Sequence, residues 1–203
     1  MNKYKLQNLL NIKKWFFIFF IMMFIGITCF YFFNKRKIMT IEDSDNCKNY
    51  EDIMDDNDLN NEKTLNRIQL FIKQNHNIYG TLESLKLSKY YIIKNKFNLS
   101  IDVLQNVLEW CTDNNIINLI YFRISKIQFE LKKFKSALLS VSHIQESSWT
   151  SSICNLKGDI FFALGNKQNA IKFWKISYFL EKNVYVRNFL HMKILSLQKH
   201  ADF

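Results

Sequence analysis

The chain has 203 residues, a formal net charge of +10, no proline and four glycines. That length excludes two large domains, since a soluble domain usually takes roughly 100 to 200 residues. The scarcity of Gly and Pro argues against a small antiparallel sandwich, whose tight turns need them at special backbone angles, so helices are expected. The basic excess is carried by 24 lysines against four arginines. They are scattered, with no arginine stripe and no groove-reading motif to position them. This argues against nucleic-acid binding.

Residues 1–37 carry seven cations and no acid. Within them, Trp15 to Phe33 is an uncharged run of 19 residues. At ~1.5 Å per residue it would reach ~28 Å, close to a hydrocarbon core of ~30 Å, so a transmembrane helix is expected over 15–33. Lys13, Lys14 and Trp15 flank one end, and Tyr31, Lys35, Arg36 and Lys37 the other. These are interfacial residue types. A cleaved signal would have a shorter apolar stretch and a small-residue cleavage site. Gly26-Ile27-Thr28 before Cys29 makes a poor lipidation signal, so the run reads as an anchor. Four lysines and the α-amino group precede it, against three cations after it. The positive-inside preference therefore tilts the 1–14 tail toward the cytoplasm and the remainder to the opposite side.

Residues 34–62 form an acidic connector, with nine acids and one lysine over 38–62. The spacing lacks the Gly and Glu positions of a calcium-binding EF-hand loop. From Glu62 onward apolar residues recur at intervals of three and four, as in Leu65, Ile68 and Ile72, then Leu82, Leu85, Tyr91 and Ile92. This is helical periodicity. A domain is expected over 63–203, with Ile68–Gln74 in an opening helix and Val184–Leu197 as a closing one.

Internal repetition sets the architecture. In Leu156–Ser177, Gly158 and Ala170 are small residues that let two antiparallel helices approach. Between them Gly165 can take the left-handed conformation that ends a helix. The same frame fits upstream through Ser125, Phe134, Ala137 and Val141, and again through Ser88, Tyr91, Asn95, Phe97, Ser100 and Leu104. The small contact recurs at Ser100, Ala137 and Ala170, steps of 37 and 33 residues. The segment resembles a tetratricopeptide repeat, whose period is ~34. One helix pair cannot bury its apolar face alone, so the pairs must stack. The expected class is all-α: a helical-hairpin solenoid behind a single membrane helix, closed by a C-terminal capping helix.

The stretch Asn77–Ser88 contains Tyr79-Gly80. With Trp149, Leu156–Asp159, Gly165–Gln168 and Met192–Ile194, it resembles the YfgM family of ancillary SecYEG translocon subunits. The resemblance covers roughly residues 50–197. It implies a single-pass bacterial inner-membrane protein with a periplasmic repeat domain. Such a protein associates with the translocon and with the membrane-anchored chaperone PpiD, assists exported chains that are still unfolded, and performs no catalysis. Two departures stand out: the 1–14 tail is short and purely basic, and Lys157 replaces the usual apolar residue before the repeat glycine. The alternative reading is a repeat adaptor of another envelope assembly, such as a pilus or outer-membrane insertion machine.

No catalytic, metal or cofactor site is expected. His76, His143, His191 and His200 lack paired-ligand spacing, and no phosphate-binding or nucleophile-elbow motif occurs. Cys29, Cys47, Cys111 and Cys154 contain no CxxC. Outside the cytoplasm a Cys111–Cys154 bridge is permitted, with unpaired core thiols the favoured state. Because first helices line the concave face of stacked pairs, the frame assigns a partner-binding surface. It comprises Leu85, Lys89 and Ile92, then Phe122, Lys126 and Phe129, then Asn155, Asp159 and Phe162. The competing role for each aromatic is to fill the space between repeats.

Overall fold

The computed structural model describes residues 20–32, 48, 50, 59–145 and 147–198. The expected tail 1–14, both ends of the expected anchor, Cys47 and His200 lie outside them. The chain divides into two compact units, 1–57 and 58–203. In the first, residues 20–32 are helical (α1) and their large apolar side chains, among them Phe20, Phe24, Phe30 and Phe32, are exposed. Among the described residues no helix is long and apolar enough to cross a membrane. The described part of the run is shorter than the ~20 residues that a span requires.

The second unit is helical throughout its described residues. Its elements are α2 (Glu62–Gln74), α3 (Ile78–Ile93), α4 (Phe97–Leu108), α5 (Asn114–Glu130), α6 (Phe134–Ser142), a 3-10 turn at Ser147–Trp149, α7 (Thr150–Ala163), α8 (Lys167–Leu180) and α9 (Val184–Gln198). The Asn and Asp content explains many of the starts. Asn61, Asn77, Asp113 and Asn166 each accept a backbone N–H of the first turn with the side-chain oxygen, satisfying donors that the helix leaves orphaned. Asn183 does the same for α9, accepting the Tyr185 N–H at 2.9 Å.

Helices α3/α4, α5/α6 and α7/α8 are hairpins with one type of turn. Asn95 and Lys132 both have φ 57°, and Gly165 has φ 78°. After each, an N–H returns to a carbonyl five residues back: Lys96 to Tyr91, Lys133 to Gln128 and Asn166 to Phe161, at 2.8–2.9 Å. This is the left-handed cap that most often uses glycine. Ser88, Ser100, Ser125, Ala137 and Ala170 are all fully buried. In the first hairpin the Ser88 and Ser100 hydroxyls hydrogen-bond each other at 2.7 Å, and Ser125 donates within its own helix to the Phe122 carbonyl. Gly158 lies against the indole of Trp174; a Cβ there would come within 2.3 Å of the ring.

Three cores bridge successive elements. Leu104 and Val107 of α4 meet Ile120, Ile124 and Ile127 of α5. Ala137 and Val141 of α6 meet Leu156 and Ile160 of α7. Ala170 and Trp174 of α8 meet Leu190, Ile194 and Leu197 of α9. Each core lies between one hairpin and the next element, which is the stacking logic of a solenoid. Cys111 and Cys154 are free thiols. Burial pushes the Cys154 thiol upward, with the Lys157 ammonium opposing. Lys157 itself covers an aromatic face, its Nζ 5.8 Å from the centre of the Phe173 ring, so the helix accommodates the departure from an apolar residue.

Candidate functional site

The first helices of successive hairpins are linked through the cores between them, and α9 extends the series. Leu85 and Ile92 of α3 pack on the core that contains Ile120, Ile124 and Ile127 of α5. Phe122 and Phe129 of α5 pack on the core that contains Leu156 and Ile160 of α7. From α9, Lys193 Nζ donates to Asp159 Oδ1 of α7 at 2.6 Å and to Asn155 Oδ1 at 3.2 Å.

The predicted surface residues separate into three groups. Lys89, Lys126 and Phe162 are exposed. Leu85, Ile92, Phe122 and Phe129 are half-buried and spend much of their area between hairpins. Phe122 sits 5.3 Å from the Trp149 ring and Phe129 5.8 Å from Phe134, both tilted. The inter-repeat role therefore accounts for much of these side chains, and only their outer parts face solvent. Asn155 and Asp159 form the third group. Asp159 accepts the Trp174 indole N–H at 2.9 Å as well as Lys193, so its charge is already answered within the fold.

Lys193 is the residue that sequence reasoning missed. Its ammonium also lies 5.3 Å from the centre of the Trp174 ring and 4.8 Å from that of Phe189, both cation–π distances. A signal was present. Lys89, Lys126, Asp159 and Lys193 follow one another at steps of 37, 33 and 34 residues, which places α9 in the register of another first helix.

Chemistry elsewhere is sparse. Among the described residues no group of three or more His, Cys, Asp or Glu side chains could hold a metal ion. An open cleft of about 580 Å³ beside α5 holds His143 with Asn114, Asn118 and Tyr121, and among the described residues neither acid nor thiol lines it. His143 stacks on Tyr121 at 4.7 Å, and His76 on Trp110 at 5.2 Å. Glu181 accepts the Asn183 N–H and the Ser151 hydroxyl, which hold its carboxyl below the usual range and fix the α8–α9 link.

A family model described as a tetratricopeptide repeat-like domain matches residues 11–199. The ancillary SecYEG translocon subunit of Buchnera aphidicola from Acyrthosiphon pisum is 34% identical over 193 residues, covering 94% of this chain and 99% of that protein. The chain belongs to the YfgM family. The likeness extends to the protein of the same name from Buchnera aphidicola of Schizaphis graminum, 31% identical over 98% of this chain and 99% of that one. The Escherichia coli protein of that name is 28% identical over 63% of this YfgM-family chain and 62% of its own. The hairpins, the turns at Asn95, Lys132 and Gly165, and the series of first helices are thus this family member's form of the repeat-like domain.

Proposed function

We propose that this protein is a non-catalytic ancillary subunit of the SecYEG translocon. In this reading Trp15–Phe33 anchors it once in the bacterial inner membrane, residues 1–14 lie in the cytoplasm, 34–62 connect, and the helical domain from 63 to 203 stands in the periplasm. There it acts with PpiD as a scaffold or chaperone for exported proteins. The concave face formed by α3, α5 and α7 is its partner-binding surface. The supporting observation is the match to proteins named as ancillary translocon subunits along 94% and 98% of this chain. Exposed side chains without clustered chemistry suit a surface that binds segments of other proteins.

The test is co-purification of the tagged full chain from membranes in mild detergent. SecYEG subunits and PpiD are the expected companions. Recovery of pilus or outer-membrane insertion components in their place overturns the assignment. Protease access in spheroplasts checks the orientation: the helical domain is expected to be digested from outside, and its protection there reverses the topology.

A further inference from the structure

The series of first helices has a charge asymmetry that its composition alone conceals. Equivalent positions on α3, α5, α7 and α9 hold Lys89, Lys126, Asp159 and Lys193. Asp159, the one acid among them, is bound by Lys193 and Trp174. Lys89 and Lys126 are exposed, and neither takes part in the described ion pairs, although Glu130 lies four residues beyond Lys126 on the same helix. Each of these lysines is bracketed on its own helix by half-buried apolar side chains, Leu85 and Ile92 or Phe122 and Phe129. The surface over α3 and α5 is therefore cationic with apolar flanks, and its one nearby counter-charge of the same register is taken up inside the fold.

We propose that this surface docks an acidic segment of a partner protein that carries large apolar side chains between its carboxylates, with those carboxylates meeting Lys89 and Lys126. Charge complementarity selects such an occupant over a basic or neutral one. The apolar residues between the carboxylates meet the outer parts of Leu85, Ile92, Phe122 and Phe129. This assignment rests on the scaffold reading above and names the chemistry of its partner.

The test uses the full chain in mild detergent and three fluorescent synthetic peptides. One has glutamate at every third position with leucine and phenylalanine between; in the others glutamine or lysine replaces glutamate. The acidic peptide is expected to bind about ten-fold tighter than the glutamine peptide, the scale of two exposed ion pairs acting together. Lys89→Glu plus Lys126→Glu is expected to remove that preference and transfer it to the lysine peptide, with the far-ultraviolet circular dichroism unchanged. Equal binding of all three peptides, or an unaltered preference in the double variant, overturns the proposal. So does inorganic polyphosphate competing as well as the acidic peptide, because the site would then read charge alone. Co-purification separates the two levels. Translocon subunits retained by a chain with no peptide preference sink the partner chemistry and leave the translocon assignment standing. A charge-dependent peptide site on a chain that retains no translocon subunit does the reverse.

Discussion

Glu83 is a charged residue in a core position. The repeat steps that relate Lys89 to Lys126 and Asp159 also relate Glu83 to Ile120 and Ile153, and Ile120, like Glu83, is fully buried. Neither carboxylate oxygen of Glu83 accepts a hydrogen bond, and Lys86 Nζ stands 3.7 Å from Oε1. Burial pushes its carboxyl upward, and Lys86 only partly opposes this. The folded chain then holds the Glu83 proton to a higher pH than the unfolded chain does. Stability from this group is full below the usual glutamate range and falls as pH rises through the folded value. Glu83→Gln removes the titration and keeps the shape. It is expected to stabilise the domain by about 1–2 kcal/mol at about pH 8, the scale of an unsatisfied buried group, and to be close to neutral at about pH 4. Urea unfolding at both pH values measures this; a loss of stability at the higher pH would show that the carboxylate is needed in its ionised form.

At the scale of the helical hairpin, one turn is built from three different residues, and only one of them is suited to it. Gly165 adopts its left-handed conformation without a Cβ penalty, whereas Asn95 tolerates it and Lys132 is strained there. Lys132→Gly is therefore expected to stabilise the α5–α6 hairpin by about 1 kcal/mol, and Gly165→Ala to destabilise α7–α8 by about 1–2 kcal/mol. Denaturation midpoints at unchanged slope measure both. The same turns show what could be read in advance. Gly165 and Asn95 are residue types that announce such a cap, and the small contacts at Ser100, Ala137 and Ala170 gave the period. Lys132 carries no such announcement, because its conformation is imposed by the packing of α5 on α6 and not by its own preference. The site was legible in the same uneven way. Register identified which side chains lie on the first helices. It could not tell that Lys193 would reach Asp159, since a long flexible ammonium finds its partner only once α9 is docked. Nor could it apportion Phe122 and Phe129 between surface and inter-hairpin packing. For that reason acidic substitutions at these phenylalanines would disturb the fold along with any partner contact, while Lys89 and Lys126 can be changed at the surface alone.

For the helical unit as a whole, the arrangement of the cores has a thermodynamic consequence. The α4–α5, α6–α7 and α8–α9 cores are separate clusters in sequence order, each linked to its neighbours through the helices they share. Stability in such a stack is close to a sum of repeat and nearest-neighbour terms, so damage at one end should remain near that end. Gly158 is the place to apply it. A single added methyl would meet Trp174 at 2.3 Å, and Trp174 is buried and tied to Asp159 through its indole nitrogen. The ring cannot swing aside without losing that bond and its place beside Ala170 and Leu190 in the last core. Gly158→Ala should then cost about 1–3 kcal/mol, the usual scale of overpacking. The loss should be concentrated in α7–α9. Amide exchange reads the distribution directly: protection around Ile160, Trp174 and Ile194 is expected to drop by about ten-fold or more, while Leu104, Ile120 and Ile124 change by less than about three-fold. An equal drop in both regions would mean that the hairpins fold as one cooperative block and that the nearest-neighbour description fails for this unit.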